Sequence, residues 1–234
     1  MIKIRKASER GTTKNDWLVS KHTFSFAGYY DPQNISFGPL RVINDDVIAS
    51  SGGFDMHPHD NMEILTVVLS GELEHKDSMG NSTIIDKSQV QKMSAGTGII
   101  HGEFNPSDKI PVHLLQIWIV PAIKNVKPYY EEKTFERETM LNKLCLLGSG
   151  NGEEGTFLIY QDVKIFESII EKDKSVVYQP ANLRKIWIHV ATGAIKVNNT
   201  NLEAGDGMGI ECEDDILNIL GKANESRFLL FDMN

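Results

Sequence analysis

Two short runs in this chain carry residue types that bind metals. They are His57-Pro58-His59 and, about forty residues later, His101-Gly102-Glu103. Each is an X-any-X pair in a stretch that reads as a β-strand, where residues two apart share a face. At about 3.3 Å rise per residue, their Cα atoms lie roughly 6.5–7 Å apart. Imidazoles leaning from such a base can converge on one ion at about 2.0–2.2 Å. Two such strands facing each other inside a barrel would supply three neutral nitrogens and one carboxylate. That set suits a first-row divalent ion with positions left open for a substrate. With seven histidines in 234 residues, one H-x-H arises readily by chance. The second pair, at the same face parity, lifts the pattern above coincidence.

The elements that must place these residues are short strands separated by turn signals. Ile64–Leu69 precedes Ser70-Gly71, and Glu72–His75 leads into the hairpin tip Asp77-Ser78-Met79-Gly80-Asn81. Thr83–Ile85, Val90–Met93 and Val112–Val120 follow, a rhythm that predicts a sandwich or barrel. His75 and His113 are lone histidines within strands and read as satisfied core or surface groups. Residues 129–147 are rich in Glu, Lys, Arg, Leu and Met, which predicts one or two short helices. The glycine-dense run Gly148–Gly155 then reads as a connector, dividing the chain into domains 1–147 and 148–234.

Past that run a weak internal repeat emerges. Val67–His75 resembles His189–Val197, with Gly71 on Gly193. That alignment sets Gln179-Pro180-Ala181 against His57-Pro58-His59, keeping the proline and losing both imidazoles. Ala204-Gly205-Asp206-Gly207 on Ala95-Gly96-Thr97-Gly98 would place Ile210 and Cys212 opposite His101 and Glu103. The reading is a duplicated barrel with one live metal site, in the first copy.

Composition sets outer bounds. Hydrophobic content of 41% with 24% charged residues excludes a disordered chain. The net charge of −8 argues against direct nucleic-acid binding, which relies on Lys and Arg at phosphates. Cys145 and Cys212 are too few for a disulfide scaffold, and each reads as a small buried hydrophobe. The longest apolar stretch, 110–123, is interrupted by His113, Gln116 and two prolines, so no membrane span is expected. Met1–Lys6 lacks an apolar core for secretion, which makes a cytoplasmic monomer the expectation.

The runs His57–Glu63, Gly71–Ser78, Val90–Glu103 and Leu115–Ile119 together resemble the pirin family of bicupins. So do His22–Phe26 with Tyr30-Asp31-Pro32, and Gln161-Asp162-Val163. The resemblance implies an all-β fold of two tandem cupin domains, each a jelly-roll-like β-barrel, with a short helical connector. It also implies one divalent ion, Fe(II) foremost with Ni, Co, Mn, Cu or Zn as alternatives. The ion would be held by His57, His59, His101 and Glu103. Bacterial members implied by the likeness act as quercetin 2,3-dioxygenases on a flavonol and O₂, with Glu103 as the catalytic base. Eukaryotic pirins imply the alternative of a metal- or redox-responsive module with a protein partner. Asp60-Asn61 and Lys92 depart from the family's pattern and bear on the pocket's preference. The carboxylate has two candidates. Glu63 stands four residues after His59, at a spacing many cupins use, while Glu103 follows the pirin pattern. With Glu103 as ligand, Glu63 is expected to orient a ligating imidazole.

Overall fold

The computed structural model describes residues 1–211 and 216–234. Its regular structure is almost entirely strand, with single helical turns at Ala7–Glu9 and Arg137–Met140. Two compact units form, one from Gly11–Thr134 and the other from Met1–Arg10 with Phe135–Asn234. Each holds a seven-stranded and a four-stranded sheet.

In the first unit the larger sheet has the spatial order Tyr129–Thr134, Gln89–Ser94, Glu63–Ser70, Val112–Ile119, Leu40–Ile48, Leu18–His22, Gly11–Lys14. The smaller sheet runs Gly53–His59, Ile99–Phe104, Glu72–Asp77, Ser82–Asp86. Neighbours pair antiparallel throughout, giving the two-sheet jelly-roll barrel expected. The apolar, β-branched run Ile64–Val68 is buried on both faces, as its composition dictates. Gly71 turns this strand into Glu72–Asp77 at φ +78°, where a Cβ would meet the Pro111 carbonyl at 2.7 Å. Gly193 makes the same turn in the second unit at φ +76°, so the repeat read around these glycines is structural.

Three expectations shift. Residues 129–134 form an edge strand paired with Gln89–Ser94, and helix is confined to one turn at Arg137–Met140. The backbone pairing available along Gln89–Ser94 outweighs the helical propensity of the Glu and Lys residues. The units part after Thr134 rather than at 147/148. Gly148 lies in a strand paired with Val163–Glu171, inside the second unit. The third concerns register. Ile210 belongs to Gly207–Glu211, the counterpart of Gln89–Ser94, while Leu217–Gly221 is the counterpart of Ile99–Phe104. With Gly193 on Gly71, Val197 falls on His75 and pairs with Ile219 as His75 pairs with Glu103. Leu217 then falls on His101, and its partner Tyr178 on His57. Cys212 lies outside the described residues.

The second barrel is filled where the first is not. Leu217 and Ile219 join Ile170, Ile188, Val197 and Phe228 in one apolar cluster. In the first barrel, Leu18, Ile48, Val68, Leu73 and Leu114 pack in one cluster, and Ile64, Met93, Ala95 and Ile99 in another. Thr66 stands between Ile64 and Val68 on one strand and belongs to neither cluster.

Candidate metal centre

His57, Pro58 and His59 end the edge strand of the four-stranded sheet, the position in a sheet where a proline costs no ladder hydrogen bond. His101 lies on the adjacent antiparallel strand, directly opposite His57. The two runs are therefore hydrogen-bonded neighbours in one sheet, not strands facing across the barrel. Ring centroids are 4.8 Å apart for His57 and His59, 4.5 Å for His57 and His101, and 4.9 Å for His59 and His101. One nitrogen from each lies within 4.8 Å of the others.

His57 Nδ1 donates to the Asp55 carbonyl at 2.7 Å, which makes Nε2 the nitrogen available to an ion. His101 is buried, with Nδ1 against His75 Nδ1 at 3.5 Å and Nε2 without a hydrogen-bond partner. Burial, then repulsion from His101 and His57, lowers the pKa of His59 to about 4. Burial, then His57 and His75, lowers His101 to about 3. Both rings are neutral near pH 7, the form that binds metals.

Glu103 is placed by a register shift between His101 and Glu103, an irregularity of the kind that re-aims side chains beside active sites. Its carboxylate groups with His101 and His75 within 4.8 Å rather than with all three clustered imidazoles. Thr66 and Gln91 donate to Oε1 at 3.2 and 3.1 Å, and Gln116 donates to Oε2 at 2.6 Å. These donors belong to a polar belt across the larger sheet, in which His22, Asn44, Gln116, Thr66 and Gln91 stand in register. Sequence reasoning missed the belt. Its signal was one polar residue at the same face of each of five strands that neighbour one another in the sheet, visible only once their pairing is known.

A cavity of about 370 Å³ opens between the sheets, within the usual range for a small-molecule site. Trp17, Phe26, Phe54 and Trp118 give it aromatic walls, and the three imidazoles, Glu103 and Asp46 give it polar ones. Asp46 is buried, pairs in register with Ser20 and Leu114, and has no hydrogen-bond partner for Oδ1. Burial raises its pKa to about 7; a Ser20 hydrogen bond lowers it, the charges of Asp45 and Glu103 raise it, and His113 lowers it.

The other candidates fall elsewhere. Glu63 lies on the larger sheet, 3.0 Å from Lys92 Nζ in a fully buried ion pair, and accepts from Ser94 at 3.0 Å. It does not reach back to the imidazoles, because the chain changes sheet across Asp60-Asn61-Met62, with Asn61 at φ +45°. Lys92 is spent on that pair and is not among the cavity's lining residues. His113 bonds Asp45 at 2.6 Å. Cys145 is half-buried and burial pushes its thiol up, as suits an unreactive cysteine.

Two jelly-roll barrels in one chain, one of them carrying converged imidazoles, define a bicupin. Family models described as Pirin and as Quercetinase C-terminal cupin domain match residues 3–119 and 146–233. The chain belongs to the pirin family. It is 44% identical over 233 residues to quercetin 2,3-dioxygenase of Escherichia coli K12, covering 100% of this chain and 99% of that one. A putative quercetin 2,3-dioxygenase of Pasteurella multocida is 44% identical over 237 residues, covering all of both chains. The crystal structure of the E. coli bacterial pirin YhhW in complex with nickel(II) matches with a TM-score of 0.94 at 43% identity, covering 100% of this chain and 99% of that one. Among the described residues, no helix is long and apolar enough to cross a membrane.

Proposed function

We propose that this chain is a metal-dependent dioxygenase that opens the heterocycle of a flavonol with O₂. The observation that carries the reading is three imidazoles converging on the wall of an aromatic-lined cavity. Full-length likeness to a protein named quercetin 2,3-dioxygenase supports it. The donor set fits a resident ion, since His101 Nε2 is a buried nitrogen without a partner and the contact of His57 Nδ1 with Asp55 leaves its Nε2 available. His57, His59 and His101 would hold a first-row divalent ion, Fe(II) in our reading, with Glu103 as the fourth donor. Ni, Co, Mn, Cu and Zn suit the same donors. Such an ion would supply Lewis acidity toward a substrate hydroxyl.

The chain's own groups do the rest. Trp17, Phe26, Phe54 and Trp118 exclude water and hold a planar ring system by its faces and edges. Glu103 accepts the proton of the 3-hydroxyl, and Thr66, Gln91 and Gln116 keep its oxygens in place for that transfer. The flavonol takes up both atoms of O₂ and loses one carbon as carbon monoxide.

An oxygen electrode tests this with iron-loaded protein and 3-hydroxyflavone. O₂ uptake with carbon monoxide release is expected, and none with the analogue lacking the 3-hydroxyl. No uptake across a panel of flavonols, with metal occupancy confirmed, would overturn the reading in favour of a regulatory module.

A further inference from the structure

The hairpin Glu72–Asp86 carries a buried chain of groups behind the imidazole cluster. Asp77 shapes its tip, where Oδ1 accepts from the backbone of Met79 at 2.8 Å and of Asn81 at 3.1 Å. Its Oδ2 accepts from Asn81 Nδ2 at 2.7 Å and lies 3.1 Å from His75 Nε2. Burial alone pushes this carboxyl up, yet hydrogen bonds from Asn81, His75 and Met79 together hold it below the ordinary carboxylate range. An ionised Asp77 can only accept, so Nε2 of His75 is the donor in that contact. The other ring nitrogen of His75, Nδ1, faces His101 Nδ1 at 3.5 Å. That contact engages one nitrogen of His101 and leaves Nε2, the buried atom without a partner, for an ion. His75 is fully buried and stacks on Tyr130 at 4.3 Å and 16°, so its ring has little freedom to turn. The Tyr130 hydroxyl is tied in turn to Thr83 at 2.6 Å and to Gln91 at 3.3 Å.

We propose that Asp77 and His75 form a positioning relay that fixes the tautomer and orientation of His101 as a metal ligand, so that the hairpin tip sets the strength of the centre. This rests on the metal-centre reading above. It also accounts for the grouping of His75 with His101 and Glu103 without a second ion, because both nitrogens of His75 are used within the relay.

Ni(II) affinity, measured by competition with a chelator on the whole chain, tests the relay together with the EPR spectrum of Cu(II)-loaded protein. His75→Phe keeps the stack on Tyr130 and removes both nitrogens. A loss of about 10–100-fold in affinity is expected, as is usual for partners behind a ligating imidazole, with altered Cu(II) parameters. His75→Gln restores an acceptor for His101 Nδ1–H and should recover much of the affinity; it also serves if the Phe variant does not fold. Wild-type affinity and spectrum in both variants would overturn the relay while leaving the metal centre standing. Loss of a second equivalent of metal on replacing His75 would overturn it too, by making His75 a ligand. A wild-type chain that binds no metal would overturn the centre and the relay together.

Discussion

Glu63 and Glu103 are both buried carboxylates, and their partners give them different work. Glu103 faces the cavity under three neutral donors, whereas Glu63 neutralises a buried lysine. Glu103→Gln keeps the size of the side chain but removes the proton acceptor, and should eliminate flavonol cleavage even where metal is retained. Glu63→Gln should leave metal content intact and cost about 3–5 kcal/mol of stability, because Lys92 is left as an uncompensated buried charge. Denaturant unfolding beside metal analysis separates the two, and loss of metal from Glu63→Gln alone would reverse the assignment. Asp46 makes a third case. Its pKa rises from 3.8 to about 7 on folding, so the folded chain keeps a proton that the unfolded chain releases. That contribution to stability is fully present below pH 3.8 and is lost as pH rises through 7. Asp46→Asn does not titrate, so it should melt above the wild type at pH 8, with the gap closing toward pH 4. A gap independent of pH would show that Asp46 is not held as a neutral acid.

Strands were legible one at a time, and their partners were not. The alternation around Ile64–Leu69, the hairpin tip at 77–81 and the parity of His57 with His59 all hold. The parity argument fails where the chain leaves a strand. A parity count from His57 to Glu63 runs through Asp60-Asn61, where the backbone turns into the other sheet. Glu103 lines the cavity, but the shift in register that separates it from the imidazole triad depends on three paired strands. The element carrying the histidines also sets an acid limit for the metal-free protein. His59 and His101 take up protons far less readily when folded, with pKa values of about 4 and 3 against 6.5. Their contribution to stability is present above pH 6.5 and is lost as pH falls through that window. Thermal melts of metal-free protein should drop between pH 6.5 and 4, and a His59→Leu variant should show a shallower drop. Equal slopes would contradict the assigned neutrality.

At the scale of the molecule, duplication gave one architecture two interiors. The first barrel interrupts its apolar packing with a polar belt and a cavity, while the second closes over Leu217 and Ile219 at the positions of His101 and Glu103. The loss of ligands from the second copy was readable from its residues, since His189 is its only histidine. Which residues replaced them needed the strand order. One metal centre, built by the imidazoles of the first barrel, underlies the proposed chemistry. Metal stoichiometry measured on anaerobically purified protein tests it most directly. One ion per chain is expected in the wild type and in His189→Ala, and none when His57→Ala and His59→Ala are combined. A full equivalent retained in that double variant, or lost from His189→Ala, would contradict a single centre in the first barrel.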